Sequence, residues 1–359
     1  MARAIATIWI LMAIVLVAAM PAVRSIDITD RDLWSEESMR ALYERWCEHL
    51  NVGCDLGDEA PRFNVFKENA RRIHEFNQGD APYKLSLNLF GDMTDEEVDH
   101  MYGHCSNLTS DGANRHQGNF TDGVVVARDN LPMYVDWRMM GYDQRPSAVT
   151  SVKRQNGCRA CWAFAATAAV EGINSIRTRN LIPLSAQQLV DCDKKNFGCR
   201  GSNAQLAFKY IVENGGITSD ANYPYVAFEQ GRCLVPKKNP IITIDGFRRV
   251  PPNDELALMQ AVASQPVVVV VDPNGFRRYG GGVFVGLCGT NLTDEMTVVG
   301  YGTTDEHDPK RRLDYWIIKN SWGAKWGENG YIRMARGVSG LTKEGLCGIL
   351  MEASYPVKN

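Results

Sequence analysis

Gln155-Asn156-Gly157-Cys158-Arg159-Ala160-Cys161-Trp162-Ala163-Phe164 places a C-x-x-C pair just before an alanine-rich helical segment, Trp162 to Ile176, that carries Phe164, Ala168 and Ile176. Such a pair suits redox or metal chemistry. Zinc needs two more soft ligands at ribbon spacing, and none stands there. A redox pair needs a thioredoxin-like βαβ context, which the flanking pattern lacks. Downstream of residue 130 the chain holds Cys158, Cys161, Cys192, Cys199, Cys233, Cys288 and Cys347. An odd number in an oxidising compartment leaves one unpaired, as a free thiol or an intermolecular partner. Cys161 opens the helix, where the dipole favours a thiolate by about 0.3–1 kcal/mol. It is therefore the expected free thiol, in preference to a plain disulfide half.

Around this stretch the texture divides. From Cys161 to Asn214 it is helical, with a second helix over Ala204 to Asn214 ended by Gly215-Gly216. From Ile241 onward it turns to strands. Val267 to Val271 is an apolar run bounded by Pro266 and Pro273, followed by Thr297 to Tyr301, Tyr315 to Lys319 and Tyr331 to Met334; one short helix, Asp254 to Ser264, interrupts them. Helices first and strands after predict an α+β fold of two packed lobes. Upstream, residues 35–50 (Met39, Leu42, Tyr43, Trp46, Leu50) and 62–77 (Phe63, Phe66, Ala70, Ile73) have helical spacing, with Asn51 to Asp58 as a loop between them. Residues 103–123 are polar, aperiodic and rich in Gly, Asn, Ser and Asp, which predicts a linker.

The chain has 359 residues, a net charge of -3 and 45% hydrophobic residues, which excludes a disordered chain and a basic nucleic-acid binder. Arg3, an apolar run from Ile5 to Ala19, then Pro21 and small residues near Ser25 predict a signal peptide over residues 1–25. The run is short for a membrane span, and no other stretch is long and apolar enough, so a soluble secretory-pathway protein is expected, with no membrane contact after signal removal. N-x-[ST] triplets at Asn107, Asn119 and Asn291 agree with that route as candidate glycosylation sites.

The segment around Cys161 resembles the active-site segment of papain-like cysteine proteases. Asp58, Arg62, Phe66, Asn69, Ile73 and Asn77 keep the spacing of the propeptide motif ERFNIN, with Asp for Glu. Asn88, Phe90 and Asp92 match the shorter motif after it, with Ser86 where Gly is usual. Val135-Asp136-Trp137-Arg138 resembles the mature N-terminus, with Leu131-Pro132 as first dipeptide, and Asn320-Ser321-Trp322-Gly323 the catalytic Asn with its shielding Trp. The resemblance implies a two-lobed papain-like fold, a helical lobe over about 131–240 and a β-barrel-like lobe over about 241–359, preceded by a helical inhibitory propeptide and linker over 26–130. It implies an endopeptidase zymogen without metal or cofactor, acting through a Cys161 thioester, with Gln155 at the oxyanion and Asn320 orienting a base. It implies disulfides Cys158–Cys199, Cys192–Cys233 and Cys288–Cys347, with Cys161 free. Cys47 and Cys54 are close enough in sequence to pair, leaving Cys105 over.

The base itself is missing. The family's histidine falls six residues after Cys288, where this chain has Asp294. Thr293 and Glu295 also replace the usual Asn and Ala, which argues against a single-base sequence error. His49, His74, His100, His104 and His116 lie in the pro-region or linker. His307 sits at the far end of a hairpin, roughly 15–20 Å away at about 3.3 Å per residue. An ionised Asp294 repels a thiolate by about 4 kcal/mol at 4 Å and an effective dielectric of 20. Strongly impaired activity is therefore expected, and the alternative is an inactive homologue that binds peptides, inhibitors or a protein partner.

Substrate-binding positions implied by the resemblance are Gly201, Ser202, Asn203, Ala204, Val270, Leu292, Glu295, Trp322 and Glu352. Two acids among them favour a basic side chain, or stand as solvated rim carboxylates. Arg159 and Ser202 replace family glycines, and Tyr142 to Ser147 looks like an insertion. Expected partners are protein or peptide substrates, the chain's own propeptide and cystatin-type inhibitors, with a monomer in the extracellular space or a vacuole or lysosome.

Overall fold

The computed structural model describes residues 26–54, 61–106, 130–139, 146–235, 242–305, 312–337 and 342–359. The signal-peptide reading, Asp58, Asn107, His116, Asn119, His307 and most of the 142–147 insertion lie outside the described residues. No helix among those described is long and apolar enough to cross a membrane.

Two prosegment helices, α1 (Glu36–Leu50) and α2 (Pro61–Asn77), bury the stripes that their periodicity predicts, Met39, Leu42, Tyr43 and Trp46 against Phe63, Phe66, Ala70 and Ile73. Asn69 is buried on α2, where its amide donates to the carbonyls of Gly91 (2.9 Å) and Met93 (3.1 Å). That ties the helix to the segment carrying Asn88, Phe90 and Asp92. A third helix, α3 (Asp95–Tyr102), was not anticipated, although its Thr94/Glu97 capping box is legible in the sequence.

The peptidase part has the two expected textures. Its helical lobe packs α4 (Cys161–Thr178) against α5 (Ala186–Cys192) and α6 (Ala204–Glu213). Alanines let neighbouring elements close on α4, which is buried from Cys161 through Ser175. The strand lobe contains β3 (Gly246–Arg249), β4 (Val267–Val271), β5 (Tyr279–Phe284), β6 (Asp294–Thr303), β7 (Asp314–Lys319), β8 (Tyr331–Arg336) and β9 (Ala353–Val357), with α7 (Glu255–Ser264) against β6. The sheet order is β1-β5-β8-β7-β6-β4-β9-β3, with β2 (Val135–Asp136) paired to β6. All five valines of β4 are buried, Val267, Val269 and Val271 in the strand-lobe core and Val268 in the helical-lobe core. A strand covered on both faces has no solvent side to make polar, hence the unbroken run.

The prosegment joins this sheet. Its strand β1 (Tyr83–Leu85) pairs antiparallel with β5 at the sheet edge. Ser86, in the place of the usual glycine, donates its N–H to the Arg278 carbonyl (2.9 Å) and lies against Gly280, where a Cβ would come within 2.8 Å of the serine's own. The missing side chain at 280 makes room for the one gained at 86. Arg277 and Arg278, nearly buried, pair with Asp99 and Asp95 of α3. Burial raises the Asp95 carboxyl, but the Arg278 hydrogen bond and charge outweigh it and hold the group below the usual carboxylate range.

Candidate active site

Cys161 stands fully buried at the first turn of α4, and β6 brings Asp294 to it. The register is set by β4, which pairs Val271 with Asp294 and Val270 with Glu295. The Glu295 backbone N–H donates to Cys161 Sγ at 3.2 Å. Asn320 follows the end of β7, whose Lys319 pairs with Thr297 of β6. Asp294 and Asn320 thus share one end of the β6–β7 hairpin, and the connection between Thr303 and Asp314 lies at the other. Asn320 accepts the Ser321 N–H on Oδ1 (2.7 Å), and Gln155 accepts the Ser321 hydroxyl on Oε1 (2.7 Å). Among the described residues, Gln155 Nε2, Asn320 Nδ2 and Asp294 Oδ2 are buried without a hydrogen-bond partner.

Cys161 is not a free thiol here. It forms a disulfide with Cys105, with Cα atoms 5.7 Å apart, and no described cysteine is unpaired. The odd count in the C-terminal block is completed from the pro-region, a pairing the expectation of a free Cys161 did not weigh. Cys47 pairs with Cys54, and the bonds Cys158–Cys199, Cys192–Cys233 and Cys288–Cys347 follow the pattern the resemblance implied.

The predicted linker also begins later than its composition suggested. His104, Cys105 and Ser106 are laid along the cleft as backbone. Ser202 N–H donates to the Cys105 carbonyl and Ser106 N–H to the Thr293 carbonyl, both at 3.0 Å. Gly201 has φ +93°, and a Cβ there would stand 2.7 Å from the His104 carbonyl oxygen. A polar, aperiodic tetrapeptide carries no local signal of such a placement, because its partners come from two other elements. His104 itself is exposed, whereas Cys161 and Asp294 are fully buried.

Burial also changes the chemistry assigned to Asp294. Loss of solvent pushes its carboxyl up to about 8, only partly opposed by the Glu295 backbone N–H. In the closed protein below that pH it is a neutral acid, so the repelling charge assumed from sequence is absent. Its Oδ1 lies 3.1 Å from Cys105 Sγ. A disulfide sulfur has no proton, so any hydrogen bond between them uses the carboxyl's own O–H.

The predicted pocket is assembled in part. Asn203, Ala204, Val270, Glu295 and Glu352 line one small cavity, joined by Gln205, Val268 and Ser354, which the sequence reading missed. Leu292 is not in that lining and packs beside Gly348. The two acids do not present two free charges. Arg249 holds Glu352 through both carboxylate oxygens (2.6 and 2.8 Å). Glu295 is pushed up to about 8 by burial, accepting from Ser106 Oγ (3.0 Å) and from the Ala204 N–H (2.9 Å). Trp322 is buried against Phe90 and Tyr102 of the prosegment and against Trp326. Arg159 grips the end of α3, donating through Nη2 to the His100 carbonyl at 2.8 Å.

Comparison with known proteins agrees with this architecture. Residues 131–357 match the family model for papain family cysteine proteases, and residues 43–98 that for the cathepsin propeptide inhibitor domain (I29). The chain is 48% identical to vignain of Ricinus communis, over 98% of this chain and 94% of the relative. It is 50% identical to cysteine endopeptidase RepA of Oryza sativa subsp. japonica, over 94% and 90% respectively. Among solved structures it resembles the proform of the ragweed pollen cysteine protease Amb a 11, with a TM-score of 0.81 and 42% identity over 93% of this chain and 97% of that one. The recombinant stem bromelain precursor superimposes with a TM-score of 0.78 and 41% identity over 89% and 99%. With these two family models covering its prosegment and its C-terminal part, the chain belongs to the papain family of cysteine endopeptidases in its proform.

Proposed function

We propose that this proform carries the endopeptidase scaffold with its proton-transfer step disabled, so that peptide cleavage is strongly impaired. The observation that carries this is Asp294, buried beside Cys161 at the position the family resemblance gives to the histidine. A thiol acyl transfer needs a group that takes the thiol proton and returns it to the leaving amine. A carboxyl pushed up to about 8 when closed keeps its proton-accepting carboxylate as the minority form below that pH. Once opened to water it titrates near 4, far from a thiol near 8.5, and its charge then disfavours the thiolate. Asn320 retains its place but has no ring to orient. Gln155 retains its amide, so the oxyanion contact survives without the base.

The test is peptide turnover by the acid-treated, reduced protein beside Asp294→His. The substitution should raise kcat/KM by about 10²–10⁴-fold, the usual worth of a general acid–base. Robust turnover by the unmodified protein, abolished in Cys161→Ala, would sink the proposal. A second reading, a protease-fold protein that holds peptides or inhibitors without cutting them, is favoured by Asp294 together with the side chains of Arg159 and Ser202 at positions where the resemblance expects glycine. Its partners would be extended peptides or cystatin-type wedges, met in the extracellular space or a vacuole. Asn291 is exposed three residues before Asp294, where a glycan would narrow access to the cleft.

A further inference from the structure

We propose that the Cys105–Cys161 bond is a covalent latch: cleavage between prosegment and peptidase part leaves the prosegment attached, and only reduction of that bond frees it. The latch holds whether or not the chain cleaves peptides.

Several independent contacts bring Cys105 to Cys161. Backbone bonds from Ser202 and Ser106 flank Cys105 on both sides, and Gly201 leaves space for the chain to pass. One turn earlier, Arg159 holds the His100 carbonyl, and Tyr102 packs on Trp322. The resulting Cα separation of 5.7 Å lies in the range that disulfides occupy. Within the prosegment, Cys47 is already joined to Cys54, so the Cys105–Cys161 bond alone crosses to the peptidase part among the described residues. Residues 107–130 separate Cys105 from Leu131, so a cut anywhere there leaves Cys105 on the departing fragment.

The surroundings preserve the bond. Both cysteines are fully buried, so an external thiolate reaches neither sulfur while Gly103 to Ser106 stays in place. Asp294 offers no base to generate a thiolate at the site. In family chemistry an imidazole at this position would hold Cys161 ready to attack. Here the same cysteine is one half of a cross-link, a role that needs no base. Release requires Gly103 to Ser106 to lift and a thiol reductant, for example a dithiol, to reach the bond. One of its sulfurs attacks the bond to form a mixed disulfide, its second sulfur closes a cyclic disulfide, and Cys105 and Cys161 leave as thiols carrying the dithiol's two protons. The dithiol is oxidised by two electrons and the latch reduced by two.

The experiment uses the full-length secreted protein, purified without reductant, with a site for a sequence-specific protease inserted immediately before Leu131. After the added protease has cut, the protein is run in denaturant with and without dithiothreitol, and the unreduced protein is digested for disulfide mapping by mass spectrometry. The latch predicts one covalently joined species until the dithiol is added, then two fragments, and a mapped peptide pair containing Cys105 and Cys161. Cys105→Ser should separate into two fragments without reductant. Separation of the unmodified protein in denaturant alone, or a map with Cys161 alkylated or joined elsewhere, overturns the proposal. The map keeps the test decisive if Cys105→Ser fails to fold.

Discussion

Replacing Asp294 by Asn isolates the carboxyl buried beside Cys161. Asp294 is fully buried, and its folded-state pKa is raised to about 8. In the unfolded chain it titrates near 3.9. A raised carboxyl means that the folded state binds its proton more tightly. Its contribution is therefore fully present below about pH 4 and is lost as pH rises toward 8. The slope across that window is one proton's worth, so about 3 kcal/mol is lost between pH 5 and 7. Asn is nearly isosteric with the protonated acid and does not titrate. The stability difference between Asp294→Asn and the unmodified protein should therefore widen in favour of the variant by about 3 kcal/mol from pH 5 to 7, roughly 5 °C in Tm. Glu295 titrates in both proteins and largely cancels in the difference. Thermal unfolding of the oxidised proteins, followed by tryptophan fluorescence at pH 5, 6 and 7, measures this. A difference that stays flat would refute the reasoning, because it would mean that Asp294 is solvated and ionised and the cleft open.

Gly201→Ala meets the His104 carbonyl in a left-handed backbone conformation, and should weaken prosegment docking by about 1–3 kcal/mol, read as faster cutting of the 107–130 segment by an added protease. Arg278→Ala removes the closer partner of Asp95, which keeps Arg72 at 3.5 Å, and one of the two donors to the Met93 carbonyl, which keeps Asn69. It should lower the urea midpoint of prosegment release in a Cys105→Ser background by the equivalent of about 2–3 kcal/mol. Acid acts in two directions. Asp95, held low by Arg278, stabilises docking above its unfolded pKa and loses that contribution as pH falls below about 4. Asp294 and Glu295, held high, favour closure fully below about pH 4 and lose that contribution as pH rises toward 8. Prosegment release in the Cys105→Ser background should therefore be least favourable near pH 4–5 and rise on both sides, as followed by size exclusion. A monotonic rise from pH 7 down to 4 would contradict this.

Much of the architecture was legible because it is local. The stripes on α1 and α2 and the valine run of β4 follow from periodicity and from which faces are covered. The motif residues fell into place the same way, Asn69 on its carbonyls and Cys161 at a helix start. The pocket was legible by position but not by charge, since Arg249 neutralises Glu352 from 103 residues away. Helix α3 was missed although its capping box stands in the sequence, because it spans only eight residues beside a polar stretch.

From its sequence alone this protein is determined to be a two-lobed α+β proform of the papain family, because residue identity and spacing along one chain carry that information. What only the tertiary structure decided is the state of Cys161 and its neighbour. Cys161 is joined to a cysteine 56 residues earlier, and Asp294 is an acid kept neutral. Disulfide partnership depends on where two backbones meet, and ionisation depends on how much water is excluded. Both are properties of the packed chain in space, and neither is written in the order of its residues.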